Sequence, residues 1–536
     1  MKNLALSIIA LLITFSSAAI NRNGTENTTV LESPCVKTYL NTTINNSIVT
    51  IDLATIDRFF KKYTSLKKYR SDVVVLYKNR DYKSIWYDDK ELIEFASLLY
   101  SKVNQLENEG LKFNIAYKDK IAAIFNNGTA IEITKTEKEL LLSSLYIFYA
   151  KKVFQGLDVN KVQEIGWFLP QKTTSYKILL DSLLAAPQLL HKNESQLHPQ
   201  YYKLRDALIK YRQIEKRNDW NPIETDLSII EYNPGDSSKT IGQIRHRLVV
   251  LEDLEKDSKS NIYDAELMEA VLKFKKRNGY KPNYMIGSQH INRMNIPIEQ
   301  YIKTIIINME RCRWISPGLA KEKELIMVNI PALKLIYRKN GNNVLESKVF
   351  VGINMLETVI FSSSISRVVF SPYWNVPRSI VENEIKPAIA KDSSYLTKNN
   401  MEWYKNGLRQ KPGPRNSMGL VKFLFPNTYD IYLHDTPYKE SFDADFPEFS
   451  HGCINMQKAK ELAYLILEDY PDWPVDKIDQ AMDGSKETTC VLKNKIPIHI
   501  GYFTAWVPDS GEINFYFDIY HKDYRLAELL FNEETH

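Results

Sequence analysis

Apolar positions change their period along this chain, and the change divides it. From about residue 51 to 230 the spacing is helical: Phe95, Ala96 and Leu99 follow Leu92 at intervals of three and four, and Leu140, Leu141, Leu145 and Phe148 repeat the pattern. These residues predict a helical scaffold domain over 51–230. Asn233-Pro234-Gly235-Asp236 reads as a linker. From 237 to 300 three short helices are expected. The first carries Ile241, Ile244, Leu248 and Leu251. The second starts at an Asp264 cap, runs through Leu267, Ala270, Val271 and Phe274, and stops at Asn278-Gly279. The third carries Ile291 and Met294. A connecting helix over 301–322 ends near Cys312-Arg313-Trp314.

Beyond residue 323 the text favours strands. Leu325 to Ile330 and Leu333 to Tyr337 are rich in strand formers, and Asn340-Gly341-Asn342 marks a hairpin leading into Val344 to Val351. Further strands are expected at Ile365 to Phe370, Gly419 to Phe425 and Ile431 to His434. Residues 380–417 interrupt them with charged, Pro- and Gly-rich text and read as an inserted cap. A mainly-β domain over 323–480 and a C-terminal extension over 481–536 complete a multidomain α+β chain.

The N-terminus adds a compartment. Met1-Lys2-Asn3, the apolar run Leu4 to Phe15 and the small residues Ser16 to Ala19 make 1–19 a signal peptide, with an uncleaved membrane anchor as the alternative. The run is short for a membrane span. Residues 20–50 are a flexible lead-in, and Cys35 lacks a lipoprotein context. Asn23, Asn27 and Asn41 match a glycosylation pattern, read as an accident of an Asn-rich segment. The 70 basic and 65 acidic residues of the 536 leave a net charge of +5 without a one-sign block, so nothing argues for nucleic acid. Four cysteines (Cys35, Cys312, Cys453 and Cys490) are too few for a disulfide scaffold, and none forms a CxxC pair.

One constellation carries chemistry. Ile431-Tyr432-Leu433-His434-Asp435 is followed by Ser450-His451-Gly452-Cys453-Ile454-Asn455. A thiol enzyme needs a cysteine beside an imidazole, a group fixing the imidazole tautomer, and N–H donors for the oxyanion. A glycine before the nucleophile allows a sharp backbone turn. Ala459, Leu462, Ala463, Ile466 and Leu467 then form a helical face, which predicts Cys453 just before a helix N-terminus and a lowered thiol pKa. Taken singly, a buried cysteine is a small hydrophobe and a histidine is structural. His434 and His451 could also ligate zinc, but no third ligand stands at the needed spacing, and no metal is expected.

The combination His434-x15-Ser450-His451-Gly452-Cys453-Ile454-Asn455 resembles the signature of the L,D-transpeptidase (YkuD-type) family. Phe370-Ser371-Pro372-Tyr373-Trp374-Asn375-Val376-Pro377, Leu408 to Asn416 and Lys422-Phe423 are similar to its flanking runs. Tyr263-Asp264, Ala270-Val271, Phe274, Asn278-Gly279-Tyr280 and Ile286-Gly287 resemble a small peptidoglycan-binding helical module over 237–300. The domain order and Tyr502 to Trp506 are similar to large YcbB-like members from Gram-negative bacteria.

The resemblance implies Cys453 as nucleophile, His434 as base and His451 as accessory. It also implies the Asp435 carbonyl as orienter of His434, and the Gly452 and Cys453 N–H groups as oxyanion donors. Ser450, Asn455, Tyr432, Trp374 and Asn416 are expected to line the substrate site. Peptidoglycan tetrapeptide stems would be donor and acceptor in 3→3 cross-linking, without a cofactor. The enzyme would be an exported monomer at the periplasmic face of a Gram-negative envelope. An L,D-carboxypeptidase or wall hydrolase using the same thiol, or a non-catalytic wall-binding protein, stays open on the sequence.

Overall fold

The computed structural model describes residues 51–88, 91–126, 131–187, 196–226, 228–352, 356–443 and 452–531. The expected signal segment, the lead-in and Cys35 lie outside them, as do Ser450 and His451. Helices start where the local chemistry satisfies their free N–H groups. In the scaffold, Thr134 and Glu137 form a capping box at the head of α1 (Lys135–Tyr149), which buries Leu140, Leu141 and Leu145. Pro199 opens α2 (Pro199–Arg217), which buries Tyr201, Leu204, Leu208 and Tyr211. Phe95, Ala96 and Leu99 lie buried on a helix over Glu94–Asn104, while Leu92 precedes it in a two-residue strand.

The small module has three helices: α3 (Lys239–Val250), α4 (Ala265–Arg277) and α5 (Ser288–Met294). Ser238 caps α3 and Asp264 caps α4, each side chain accepting a backbone N–H. The next helix, α6 (Ile298–Trp314), buries charged as well as apolar residues, among them Glu310, Arg311 and Arg313. From Ile305 to Trp314 this helix is buried on every side and cannot leave such charges unpaired; Glu310 and Arg313 pair with each other and with the scaffold, and Arg311 with the C-terminal segment.

Among the described residues nine strands form the main sheet: β1 (Trp167–Phe168), β2 (Glu324–Asn329), β3 (Lys334–Lys339), β4 (Asn342–Phe350), β5 (Ile360–Phe370), β6 (Val421–Leu424), β7 (Leu433–His434), β8 (Ile454–Met456) and β9 (Thr488–Gly501). Their order is β6-β7-β8-β4-β3-β2-β9-β5-β1, and β5 pairs again with β6. That second pairing, Phe370 opposite Val421, closes the sheet on itself. Ile326 and Val328 face the core with Leu335 and Tyr337, all buried. The hairpin between β3 and β4 turns at Asn340 and Gly341, both at positive φ.

Two strands lie where the sequence did not place them. β9 belongs to the expected C-terminal extension, yet it runs between β2 and β5, parallel to the first and antiparallel to the second. The residues after 481 are therefore integral to the sheet. β1 comes from the scaffold and pairs in parallel with Ile360 and Phe361 of β5.

Between β5 and β6 the chain builds a small three-stranded sheet from Trp374–Asn375, Met401–Tyr404 and Gly407–Gln410. It has its own core of Val376, Ile380, Val381, Ile385 and Leu408. After β8, α7 (Ala459–Leu467) packs Ala459, Leu462, Ala463, Ile466 and Leu467 inward. The described chain closes with α8 (Lys522–Phe531). Among the described residues no helix is long and apolar enough to cross a membrane.

Candidate active site

β7 and β8 bring the two halves of the constellation together. They pair in parallel, with Leu433 opposite Ile454 and His434 opposite Asn455. A parallel ladder needs a crossover between its strands, and the residues between β7 and β8 supply it. Cys453 is the residue immediately before β8, so this pairing sets it beside the end of β7.

His434 is buried. Its Nδ1 lies 2.6 Å from the backbone carbonyl oxygen of Asp435. A carbonyl only accepts, so the proton sits on Nδ1 and Nε2 is left as the basic nitrogen. Burial pushes the His434 pKa down to about 4, against a smaller upward pull from the Asp435 carbonyl. The ring is therefore neutral at physiological pH. The Asp435 carboxylate is engaged elsewhere: it accepts from the Leu420 N–H at 2.9 Å and from Lys439. Gly419, at φ +59°, passes directly over that carboxylate. A Cβ there would fall within 2.5 Å of Asp435 Cγ, which leaves room only for glycine.

The Cys453 thiol is half-buried. Its Sγ points to the Asp430 carbonyl at 3.6 Å. Burial holds the thiol above its ordinary pKa, although hydrogen bonding from Tyr432 opposes this. The expectation of a helix N-terminus is corrected here. The strand Ile454–Met456 intervenes before α7, so the cysteine lies beyond the first turn over which a helix dipole acts. At rest the site holds a neutral thiol and a neutral imidazole.

The remaining expected residues divide. The Tyr432 and His434 rings lie 5.8 Å apart, and Tyr432 hydrogen bonds with the Cys453 thiol. The Asn455 side-chain oxygen is buried and finds no partner among the described residues. Gly452 turns at φ +106°, and its carbonyl accepts from the Thr358 hydroxyl at 2.9 Å. Trp374 is half-buried against the small core of the cap. Asn416 is a correction. It is buried, its Nδ2 donates to the Pro372, Gln410 and Lys411 carbonyls, and its Oδ1 accepts from the Met418 N–H. Both ends are spent on backbone, so it ties the return of the cap and offers nothing to a substrate.

The sequence reading missed Thr358, Asp430 and Tyr520. Thr358 and Asp430 meet Gly452 and Cys453 only through the fold, Tyr520 meets Thr358 in the same way, and no local pattern marks any of them. Cys312 and Cys490 are free and buried, with burial holding both thiols above their ordinary pKa. Among the described residues no group of three or more His, Cys, Asp or Glu gathers at metal-ligand distances.

Two stretches of the chain are similar to known families. Residues 323–481 match the family model of the L,D-transpeptidase catalytic domain, and residues 71–208 match that of a Scaffold domain. A provisionally named L,D-transpeptidase of Haemophilus influenzae is 30% identical over 227 residues. That match covers 38% of this chain and 46% of the relative, less than half its length. Solved structures similar to this chain include two L,D-transpeptidases. One, from Mycobacterium smegmatis, is 12% identical, with 33% of this chain and 58% of that one covered and a TM-score of 0.19. The other, from Stackebrandtia nassauensis, is 14% identical, with 52% and 95% covered and a TM-score of 0.21. Over residues 323–481 the chain is similar to YkuD-type L,D-transpeptidase catalytic domains, and over residues 71–208 to a Scaffold domain.

Proposed function

We propose that the protein is an exported peptidoglycan L,D-transpeptidase that forms 3→3 cross-links through a thioester on Cys453. The observation that carries this reading is the His434 imidazole. Its Nδ1–H is fixed on the Asp435 carbonyl, and the residue stands on the strand paired with the one that directly follows the cysteine. In the first half-reaction Nε2 of His434 takes the thiol proton. The sulfur attacks the carbonyl between the third residue and the terminal D-Ala of a tetrapeptide stem. The negative charge on the tetrahedral oxygen is met by the N–H groups of Gly452 and Cys453. Collapse expels D-Ala, which leaves with the proton from His434. In the second, the side-chain amine of a diaminopimelate residue on another stem attacks the thioester. His434 takes the amine proton and returns it to the sulfur, so atoms and charges balance without a cofactor.

His451 would stand beside the thiolate as an accessory, and Ser450, Asn455, Tyr432 and Trp374 would line the stems. The cap over 380–417 would limit water, which otherwise converts transfer into hydrolysis. The module over 237–300 would hold the enzyme on the wall at the periplasmic face of a Gram-negative envelope, as a monomer.

Mass spectrometry of a disaccharide-tetrapeptide incubated with the protein tests this. A dimer short of one D-Ala, formed by the wild type and not by Cys453→Ala, is expected. Tripeptide without dimer would instead make the enzyme an L,D-carboxypeptidase.

A further inference from the structure

The loop carrying the nucleophile is held from the far end of the chain. The Thr358 hydroxyl donates to the Gly452 carbonyl at 2.9 Å and accepts from the Gly352 N–H at 2.9 Å. The Tyr520 hydroxyl donates to the Gly352 carbonyl and accepts from the Thr358 N–H at 3.2 Å. Each hydroxyl has one hydrogen, so these directions are forced. Tyr520 is itself fixed: its N–H donates to the Tyr502 hydroxyl at 2.9 Å, which donates to Asp518 Oδ1 at 2.5 Å. Thr358, Tyr502 and Tyr520 are all buried. Asp518 accepts the Lys522 and Asp523 N–H groups at the start of α8, and Asp523 reaches Arg311 of α6 at 2.6 Å and Thr504 at 2.7 Å.

The Gly452 carbonyl and the Cys453 N–H belong to one planar trans peptide unit and point in opposite directions. Pinning the oxygen on Thr358 therefore fixes the aim of the N–H. Gly352 keeps the two segments close: a Cβ there would come within 2.8 Å of Gly452 Cα and 2.9 Å of its nitrogen.

We propose that Thr358 and Tyr520 are positioning residues for the reaction at Cys453, two hydroxyls that relay a fixed orientation from the C-terminal segment to the peptide whose N–H receives the oxyanion. Tyr520 lies outside the matched catalytic domain, which ends at 481. The inference rests on Cys453 being the nucleophile. The oxyanion develops only on the way to the tetrahedral intermediate, so the relay acts on kcat and leaves KM nearly untouched.

The test compares Tyr520→Phe, Thr358→Val, Thr358→Ser and Cys453→Ala in the full chain. Turnover of disaccharide-tetrapeptide, the rate of Cys453 alkylation by iodoacetamide and the thermal melt are followed together. Tyr520→Phe and Thr358→Val are expected to lose roughly ten- to a hundredfold in kcat, less than the loss of an oxyanion donor itself. KM and alkylation should stay within about twofold and the melt should show a folded protein, while Thr358→Ser recovers most of the turnover. Wild-type kcat in Tyr520→Phe overturns the relay. So does a loss of turnover that only tracks a loss of folded protein, or a Thr358→Ser as poor as Thr358→Val. Activity surviving in Cys453→Ala would instead remove the nucleophile assignment beneath it.

Discussion

Two buried polar clusters in this molecule meet the same dielectric problem in opposite ways. Where α6 packs on the scaffold, Arg313 donates to Glu310 at 2.8 Å and to the Glu109 carbonyl at 2.6 Å. Glu310 also takes the Leu157 N–H and the Trp314 indole N–H, and Tyr201 donates to the Glu109 carboxylate. At the candidate active site, burial leaves the Cys453 thiol and the His434 imidazole neutral. Charges with this many fixed partners lock the scaffold to α6. Groups held neutral by burial remain free to exchange a proton. Burial by itself does not distinguish a structural cluster from a reactive one; the number of fixed partners does.

The sharpest break of this contrast is at the base. His434→Gln keeps the size of the side chain and removes proton transfer, and kcat/KM should fall by about three orders of magnitude with little change in urea midpoint. A merely structural histidine would show the reverse. Glu310→Leu attacks the other cluster. It strands Arg313, and equilibrium unfolding should show a loss of about 3–5 kcal/mol while the folded fraction keeps its kcat.

Acid sharpens the comparison further. His434 has its folded pKa depressed to about 4, as does buried His198. Between roughly pH 6.5 and 4 the unfolded chain binds protons that the folded one refuses. Stability is therefore intact above about 6.5 and lost as pH falls toward 4, by up to about 3 kcal/mol for each residue. Urea midpoints at pH 7.5 and 5 measure this. The acid limb of kcat/KM should lie near 4 and not near the ordinary imidazole value.

The two asparagines make the finest comparison. Asn416→Ala removes an amide with four backbone contacts and should cost about 2–3 kcal/mol in a thermal or urea melt. Asn455→Ala removes an oxygen without a partner among the described residues and should change stability by less than about 1 kcal/mol. Any loss of turnover in Asn455→Ala then reports on substrate.

The sequence made the helical faces legible because a period of three to four survives whatever surrounds it. Ile241, Ile244 and Leu248, or Leu462, Ala463 and Ile466, point inward as expected. His434 and Cys453 were named through the resemblance of their run to a family signature, and the fold places His434 on β7 and Cys453 just before the paired β8. The failures are long-range. The alternation of Ile496, Ile498 and Ile500 was available, but nothing local says that this strand pairs with Ile326 and Ser363. β1 is two residues long and has no pattern to read. The apolar face beginning at Ala459 drew the helix too near Cys453, because three residues of strand are too few to show a period of two. Asn416 read as a substrate ligand because its backbone partners are invisible until the cap folds. Thr358 and Tyr520 meet only across 162 residues.

The position of β9 has a consequence in time. Synthesis delivers the chain from its N-terminus, and β9 is the last strand of the sheet to emerge, yet it fills the gap between β2 and β5, which were made long before. Its pairing of Ile498 with Ile326 spans about a third of the chain, a contact that is slow to find and cannot form early. Until it forms, β2 and β5 expose open edges. A chain that has not yet made β9 therefore lacks the closed sheet in which β7 and β8 lie.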